Sequence, residues 1–256
     1  MTINQAFTIL SNAAGPHVAR IVLDAMPNLS RWRLWRVARQ LRAGVPVAKI
    51  IHSKWFYGLR FYTNKWTLDP RPDSETLVAA VLDDYARAKH VSIADLGTGT
   101  GCIICAIAKN INATGVGLER SGHAARVARK NVQDLGLARA ISVRHGDFGR
   151  AAALPGAAFD VIVSNPPYIA VGDTRVDAGA MHDPKMALYA RDGGLAAYKK
   201  IAATAKTWLK PGGRIYLEIG IDMAAPVTQI FTNNGWTFVR SARDLGGITR
   251  VLVFSK

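Results

Sequence analysis

The chain has 256 residues, 49% of them hydrophobic, and its ordinary Gly, Pro and charge contents exclude a disordered or fibrous protein. No uncharged apolar run approaches the roughly 18 residues of a membrane helix, and the N-terminus lacks the segments of a secretory signal. Two cysteines in a chain of this length argue against a disulfide scaffold and predict a reducing, cytoplasmic location, and no membrane contact is expected. The N-terminus is poor in acidic residues, as in mitochondrial transit peptides, so a mitochondrial location is an alternative. It is less favoured, because the basic residues that follow fall in recognisable structure.

The formal net charge of +15 is unevenly distributed along the chain. Residues 1–65 contain ten Lys or Arg residues and one acid, Asp24. A surplus concentrated in a quarter of the chain favours an acidic partner, either nucleic acid or an acidic protein face, over a merely solubilising surface.

Residues 1–54 have the periodicity of helices. Pro16 suits the first turn of a helix over 17–26, and Ser30 suits the N-cap of a second helix that ends at Gly44. In this second helix, helical spacing relates four apolar residues: Leu34, Trp35, Ala38 and Leu41.

The tryptophans of the second helix, Trp32 and Trp35, are expected to pack in the core or between domains rather than to stack on bases. An aromatic segment, KWFYGLRFYTNKW, follows with a turn at Gly58 and predicts a β-hairpin that joins two domains. We therefore expect a helical docking domain over 1–54, a hairpin linker over 55–72 and a larger domain over 73–256.

From residue 73 onward the chain alternates helix and strand, which indicates a doubly wound α/β domain. Ser74 suits the N-cap of a helix that runs to about Ala88. Seven strands are predicted near 91–95, 114–118, 141–144, 159–164, 214–219, 236–240 and 249–254. Helices are predicted near 102–109, 122–135, 194–209 and 223–232. The last two strands lie too close for a crossover helix, so they should form an antiparallel pair at the end of the sheet.

A glycine-rich turn, DLGTGTG, joins the first of these strands to a helix. Glycine permits a tight turn, positive φ and close approach of a ligand to the backbone. The D-x-G-x-G-x-G spacing differs from that of dinucleotide binders and favours a ligand without a pyrophosphate. It resembles the first motif of methyltransferases that use S-adenosylmethionine. The expected cofactor contacts in this turn are Asp95, Gly97, Thr98, Gly99, Thr100 and Gly101.

Further candidate ligand contacts end the next two strands. Glu119, at the end of TGVGLE, suits hydrogen bonds from ribose hydroxyls, and equally suits a helix N-terminus, where the dipole favours an acid. Asp147 suits an adenine amino group and Phe148 suits the adenine ring. Open α/β sheets bind ligands at the carboxyl ends of their strands, where all three residues are expected.

Two cysteines, Cys102 and Cys105, form a C-x-x-C pair at the start of the helix after the glycine turn. A lone pair cannot complete a four-ligand zinc site, and small buried cysteines commonly pack behind glycine loops. We therefore expect packing rather than redox or metal chemistry, and no metal site.

The fourth strand of the α/β domain ends in Asn165-Pro166-Pro167-Tyr168. The prolines stiffen the loop and cannot donate backbone hydrogen bonds, which leaves nearby carbonyls free as acceptors. The Asn165 side-chain oxygen and the Pro166 carbonyl are expected to accept from one planar NH2 group, with Tyr168 as an aromatic wall. This arrangement predicts methylation of an amide or exocyclic amine, with adenine, guanine and glutamine left open.

A stretch before this domain narrows the choice of substrate. PRPDSETLV resembles the P-R-P-E-T-E segment of the protein-(glutamine-N5) methyltransferases, the HemK/PrmC family that modifies translation release factors. RAGVPVAKIIHSKWFYGLRF, DPKMALYARDGGLAAYKKI, LEIG and DLGGITR fall in the corresponding order, so the resemblance covers roughly residues 40–256. The chain differs from the family pattern at a few positions, all conservatively: Asp73, Ser74, Glu119, Phe148 and Asp183, with Thr usual at position 74.

This resemblance implies a Rossmann-like class I methyltransferase: a mostly parallel seven-stranded sheet with an antiparallel last strand, an N-terminal helical domain and a connecting β-hairpin. S-adenosylmethionine is the implied methyl donor, and the Gly-Gly-Gln loop of peptide chain release factors is the implied substrate. The implied catalytic residues are Asn165, Pro166 and Tyr168. Donor contacts fall on the glycine turn, Glu119, Asp147, Phe148 and Asn165. The glutamine is expected against Asn165, Pro166, Pro167 and Tyr168, with Arg71 and Glu75 at the pocket entrance.

Two other functions remain open from the sequence. The first is a nucleic-acid methyltransferase acting on adenine N6 or guanine N2, which for duplex DNA usually needs base flipping and a separate recognition domain. The segment after NPPY, 169–185, is too short for such a domain. The second is a non-catalytic module that contacts the ribosome or nucleic acid through its basic N-terminal helices.

Overall fold

The N-terminal region of the protein is a group of four helices. The computed structural model describes residues 2–154, 156, 158–173 and 178–256, so part of the segment after NPPY lies outside the described residues. The helices are α1 (Ile3–Ala14), α2 (Pro16–Ala25), α3 (Arg31–Arg42) and α4 (Val47–Ile51). Pro16 begins α2, and the Ser30 hydroxyl caps α3 by accepting from Arg33 N, both as predicted. The sequence prediction did not include α1, which begins with a capping box between Thr2 and Gln5.

The prediction that Trp32 and Trp35 pack in a core is wrong. The two residues are 68% and 54% exposed, respectively, whereas the other three predicted apolar residues of α3 are buried and Val37 is buried in place of Trp35. The buried residues are Leu34, Val37, Ala38 and Leu41. These residues follow the i, i+3, i+4, i+7 spacing of one helix face, which leaves both tryptophans on the solvent side.

The predicted β-hairpin is confirmed, with strands β1 (Lys54–Phe56) and β2 (Leu59–Phe61) paired antiparallel. Tyr57 and Gly58 both have positive φ, as a two-residue hairpin turn of right-handed twist requires. Phe56 and Phe61 are buried against the larger domain, so the hairpin is packed onto that domain rather than hanging free.

The larger domain is built on a seven-stranded sheet, as predicted. Its strands are β3 (Val91–Leu96), β4 (Ala113–Glu119), β5 (Ile141–His145), β6 (Phe159–Ser164), β9 (Leu209–Glu218), β10 (Thr237–Arg243) and β11 (Thr249–Ser255). The order across the sheet is β10-β11-β9-β6-β3-β4-β5. β11 pairs antiparallel with both β9 and β10, and the remaining neighbours are parallel. A short separate pair, β7 (Ile169–Ala170) and β8 (Tyr189–Ala190), follows the NPPY loop.

Helices cover both faces of this sheet. They are α5 (Glu75–Tyr85), α6 (Cys102–Asn110), α7 (Gly122–Asp134), α8 (Lys185–Leu188), α9 (Ala196–Thr204) and α10 (Ala224–Asn233). Alternate residues of β6 show the two layers: Val161 and Val163 pack with α5 and α6, whereas Ile162 packs with α9 and α10. Among the described residues, no helix is both long and apolar enough to cross a membrane.

The predicted helix cap at Ser74 is wrong. Ser74 ends a short 3-10 turn over Pro72–Ser74, has helical dihedral angles and makes no capping hydrogen bond. The following helix, α5, ends at Tyr85 rather than near Ala88. The Ser74 side chain is buried and turned toward the NPPY loop instead. The tertiary contact therefore overrides the local capping signal.

Candidate active site

The predicted ligand residues gather at one edge of the sheet. β3, β4, β5, β6 and β9 run parallel, so their carboxyl ends meet at the same side. The glycine turn follows β3, Glu119 ends β4, and the NPPY loop follows β6. This edge is where open α/β sheets bind ligands.

The glycine turn is a tight backbone loop with three left-handed residues. Gly97, Gly99 and Gly101 have φ of 79°, 57° and 80°, a conformation that disfavours any side chain. Thr98 Oγ1 donates to Asp95 Oδ2 at 2.6 Å and fixes the start of the loop. The buried Asn131 side chain donates to the Thr100 carbonyl at 2.8 Å and fixes its end. The loop therefore presents rigid bare backbone to the pocket.

Glu119 is buried beside the same loop. Its Oε2 accepts from Gly99 N at 2.9 Å, and its Oε1 accepts from Ser121 N at 2.8 Å, just before α7. The carboxylate thus lies at the N-terminus of α7 and also contacts the glycine turn. Its position agrees with the interpretation as a helix N-terminal acid and is compatible with the interpretation as an acceptor for ribose hydroxyls. Each oxygen retains a second lone pair for a hydroxyl donor.

Asp147 and Phe148 lie at the next strand end, as predicted. The Phe148 ring is in van der Waals reach of Gly97: a Cβ built on that glycine would lie 3.8 Å from Phe148 Cε1. Asp147 Oδ1 accepts from Gly149 N at 2.8 Å, and Asp147 Oδ2 lies 3.7 Å from Arg120 Nε. An aromatic ring and a carboxylate therefore border the glycine turn.

Asp95 is a buried carboxyl group with an unused oxygen. Its Oδ1 has no hydrogen-bond partner among the described residues, and burial raises the pKa of Asp95 to about 7. An orphaned buried oxygen beside a bare glycine backbone fits a ligand that brings a polar or cationic group, such as the amino-acid part of S-adenosylmethionine. No cluster of His, Cys, Asp or Glu suited to a metal ion occurs in the described ranges.

The NPPY loop is fixed by contacts from three other segments. Asn165 Nδ2 donates to Ser74 Oγ at 3.0 Å, which ties the loop to the turn before α5. The Tyr168 ring lies against Gly220, where an added Cβ would approach Tyr168 Cδ2 to 2.9 Å. A Cβ at Gly194 would approach the Tyr168 carbonyl oxygen to 2.1 Å. Pro166 is buried, and Asn165, Pro167 and Tyr168 are half-buried at the pocket.

Tyr168 is a neutral aromatic surface at ordinary pH. Burial, followed by the nearby Glu218 carboxyl, raises the pKa of Tyr168 to about 12. A ring that keeps its proton serves as a wall and not as a base.

Glu218 is a site residue that the sequence prediction missed. It ends β9, within the LEIG segment, and is 1% exposed. Ser164 of β6 pairs with Leu217 of β9 in parallel register. The next residue on each strand, Asn165 and Glu218, respectively, therefore lies beside the other. Burial raises the pKa of Glu218 to about 7, against smaller lowering effects of hydrogen bonds from Ser74 and Asn165. The LEIG motif contains Glu218 but gave it no role, because its position beside Asn165 depends on strand register.

Arg71 lies in the segment before α5, and Glu75 is the first residue of α5. Arg71 Nη2 pairs with Asp183 Oδ2 at 2.7 Å, and the buried Lys49 of α4 pairs with Asp183 Oδ1 at 2.9 Å. Glu75 Oε1 accepts from Tyr57 N of the hairpin turn at 2.8 Å. Arg71 therefore connects the linker to the segment after NPPY, and Glu75 connects α5 to the hairpin turn.

Cys102 and Cys105 are buried free thiols, consistent with the predicted packing role. Burial raises the pKa of both thiols above the ordinary range, which disfavours the reactive thiolate. A Cβ on Gly101 would contact Cys105 Sγ at 3.7 Å, so this cysteine packs directly behind the glycine turn.

Comparison with known proteins defines the class first. A family model described as a methyltransferase domain matches residues 87–236. A methyltransferase structure from Pyrococcus furiosus is similar at a TM-score of 0.59 and 20% identity, covering 86% of this chain and 96% of that one. The hMettl16 catalytic domain, solved with an RNA hairpin, is similar at a TM-score of 0.59 and 18% identity, covering 87% and 80%. The fold is that of a Rossmann-like methyltransferase, as predicted.

Relatives by sequence define the family. The chain is 36% identical over 251 residues to the release factor glutamine methyltransferase of Caulobacter vibrioides, covering 96% of this chain and 86% of the relative. It is 38% identical over 251 residues to that of Burkholderia pseudomallei, covering 94% and 88%. The chain belongs to the release factor glutamine methyltransferase family, which confirms the resemblance noted in its motifs.

Proposed function

We propose that this protein transfers a methyl group from S-adenosylmethionine to the side-chain amide nitrogen, N5, of the glutamine in the Gly-Gly-Gln loop of a translation release factor. The observation that carries the proposal is the orientation of Asn165. Because its Nδ2 donates to Ser74, its Oδ1 is available to accept from the substrate's NH2 group. The family membership supplies the substrate class.

The donor fits the residues at the strand ends. When bound, S-adenosylmethionine supplies the electrophilic methyl group and leaves as S-adenosylhomocysteine. The bare glycine turn, the Glu119 carboxylate and the Phe148 ring suit an amino-acid tail, a ribose and an adenine, respectively. The proposed donor contacts are Asp95, Gly97, Thr98, Gly99, Thr100, Gly101, Glu119, Asp147, Phe148 and Asn165.

The NPPY loop holds and aligns the substrate amide. An amide nitrogen is a poor nucleophile, so the protein must align it and stabilise the positive charge that develops on it. The Asn165 oxygen and the Pro166 carbonyl accept from the two N–H bonds, and Tyr168 contacts the amide plane. No strong base is needed before transfer, because methylation makes the nitrogen acidic, and the methylated nitrogen then loses one proton to solvent. Catalytic roles are therefore assigned to Asn165, Pro166 and Tyr168, and Pro167 completes the glutamine-binding surface.

Arg71 and Glu75 are proposed to shape the pocket entrance by holding the linker in place, through Asp183 and Tyr57. The units proposed for the whole chain are the docking helices over 1–54, the hairpin linker over 55–72 and the methyltransferase domain over 73–256. A translation-factor modifier with two buried free thiols is proposed to work in the bacterial cytoplasm.

Label transfer to defined acceptors tests the proposed activity. The protein is incubated with radiolabelled methyl donor and either a release factor, the same factor with its loop glutamine replaced by asparagine, ribosomal RNA or DNA. We expect label only in the unaltered release factor. Label confined to a nucleic acid would assign the protein to the amino methyltransferases of bases, and no label anywhere would favour a non-catalytic module.

A second proposal concerns the basic helix α3, whose exposed face suits single-stranded nucleic acid. Trp32, Trp35, Arg36 and Arg39 line a groove of about 440 Å³, and the Arg36 guanidinium carbon lies 5.6 Å from the Trp32 ring centroid. Exposed aromatic rings stack on bases, and neighbouring arginines neutralise phosphates. We propose that this groove gives the protein a weak contact with nucleic acid or the ribosome.

Fluorescence titration with a single-stranded RNA oligonucleotide at several salt concentrations tests the α3 groove. Replacing both Trp32 and Trp35 by alanine is expected to weaken binding by about 10-fold or more, since each stacked base contributes about 1–3 kcal/mol. The matched control is Trp55→Ala, because Trp55 is equally exposed but lies on the hairpin. Unchanged RNA affinity in the double variant would contradict the proposal, and a loss of release-factor affinity in its place would assign the groove to a protein partner.

A further inference from the structure

The environment of Asn165 contains a buried carboxyl group that none of the proposed chemical steps uses. Glu218 Oε2 has no hydrogen-bond partner among the described residues, although the side chain is almost fully buried. Orphaned buried carboxylate oxygens are costly, so they persist where they serve a function. The donor and substrate assignments explain the other groups of the pocket, but they leave Glu218 unexplained.

Three polar groups meet at this point from distant parts of the sequence. Asn165 Nδ2 donates to Ser74 Oγ at 3.0 Å, and Glu218 lies close enough to Ser74 and Asn165 for both side chains to lower the pKa of its carboxyl group. The backbone around Glu218 is also fixed, because Tyr198 Oη donates to the Glu218 carbonyl at 2.7 Å. The backbone from which the buried Glu218 side chain extends is therefore held in place by a buried hydrogen bond.

The numbers of hydrogen-bond donors and acceptors on Glu218, Ser74 and Asn165 determine which way the Asn165 side-chain amide is turned. An ionised carboxylate only accepts, whereas a serine hydroxyl has one hydrogen and can accept from a further donor. If Glu218 accepts the Ser74 hydrogen, then Ser74 Oγ must accept from Asn165, and the Asn165 amide must turn its NH2 group inward. Its oxygen then faces the substrate side. A protonated Glu218 can itself donate to Ser74, which frees the serine hydrogen to bind the Asn165 oxygen instead.

We propose that Glu218 and Ser74 are positioning residues that hold the Asn165 side-chain amide with its oxygen directed at the substrate NH2 group. The inference rests on the proposed function for its consequence in catalysis, but the orientation itself is a property of the unliganded protein. Asn165 remains the residue that touches substrate, and Glu218 and Ser74 act through it.

The ionisation of Glu218 couples this orientation to pH. Glu218 interacts electrostatically with five other titratable groups: Asp73, Cys102, Tyr168, Tyr198 and Arg250. Asp73 and Arg250 pair with each other at 2.8 Å and act on Glu218 in opposite directions. Burial dominates, and with a pKa of about 7 the carboxyl group changes its charge near neutral pH. Turnover is therefore expected to rise through neutral pH as Glu218 ionises.

Steady-state kinetics of four variants test the positioning role. Ser74→Ala and Glu218→Leu are expected to lower kcat on the order of 10-fold, with little change in KM, because a misdirected amide loses alignment more than binding. Ser74→Thr keeps the hydroxyl and should retain wild-type turnover. Glu218→Gln keeps the shape but not the titration, so its kcat should lose the rise near neutral pH. Ser241→Ala, at an exposed position on β10, is the matched control and should change nothing.

A measurement without catalysis separates this inference from the proposed function. The side-chain NH2 signals of Asn165 in a ¹⁵N NMR spectrum, assigned by their absence in Asn165→Ala, are expected to titrate near neutral pH. The titration should vanish in Glu218→Gln, and the signals should shift in Ser74→Ala. If these signals behave so while no release factor is methylated, the proposed function fails and the positioning stands. The positioning role would be overturned if the Asn165 signals did not change with pH or in Glu218→Gln and Ser74→Ala. An unchanged kcat in Ser74→Ala and Glu218→Leu would also overturn it.

Discussion

Two sets of buried carboxyl groups in this protein have opposite environments. Asp183 is 2% exposed at its side chain and forms ion pairs with Lys49 and Arg71, and Lys49 also pairs with Asp69 at 2.8 Å. Asp95 and Glu218 are as deeply buried, but no ion pair reaches either of them in the described part of the chain. The first set joins α4, the linker and the segment after NPPY, and the second set lines the ligand edge of the sheet.

The comparison indicates that the ion-paired carboxyl groups have a structural role and that the carboxyl groups without an ion pair have a chemical one. Charges taken out of water are tolerated when they are paired, and the pairs then hold their segments in one arrangement. Carboxyl groups without a cation have raised pKa values and can respond to a ligand or to pH, which is the usual condition of functional groups. In this protein, the paired set connects the N-terminal helices to the candidate site, and the unpaired set borders the proposed donor and substrate positions.

Breaking the paired set is expected to have the largest effect on stability. Lys49→Met removes the shared cation and leaves Asp69 and Asp183 buried without it, which should cost about 3–5 kcal/mol of unfolding free energy. Urea denaturation followed by circular dichroism measures the change. The control is Lys130→Met, which removes an exposed pair with Asp134 and should cost less than about 1 kcal/mol. Equal, small losses in the two variants would contradict a structural role for the buried network.

The unpaired set is expected to have a smaller, pH-dependent effect. Folding raises the pKa of Glu218 from an ordinary value of 4.5 to about 7, so the wild-type protein loses stability as pH rises through this window. Glu218→Gln lacks this titration, so it should gain stability relative to wild type by on the order of 2–3 kcal/mol between about pH 4.5 and pH 7.5. Unfolding titrations across this range measure the difference. Parallel pH curves for the two proteins would show that Glu218 keeps an ordinary pKa.

The parts of the site that the sequence predicts are those made by short continuous motifs. The glycine turn needs glycines with positive φ, and the NPPY loop needs prolines after a buried strand, so both can be recognised from neighbouring residues. The parallel strand order then places them together. The same reasoning located Glu119 and Phe148, because Glu119 is the last residue of β4 and Phe148 lies three residues after β5.

The parts that the sequence could not predict depend on contacts between distant segments. Ser74 has the local pattern of a helix cap, but its partner Asn165 lies 91 residues away. Glu218 lies in the LEIG motif, but only the β6–β9 register brings it beside Asn165. The error in α3 was confined to Trp35, because Val37, two positions later, completes the buried face with the three correctly predicted residues.

The central claim is that Asn165 aligns a release-factor glutamine and contributes little to donor affinity. Asn165→Ala is therefore the most direct test, with methyl transfer to the release factor followed by radiolabel and donor binding followed by calorimetry. We expect a loss of turnover on the order of 100-fold or more, as for other oriented polar groups at reacting centres, and a much smaller loss of donor affinity. Turnover near wild type, or a loss explained entirely by weaker donor binding, would contradict it.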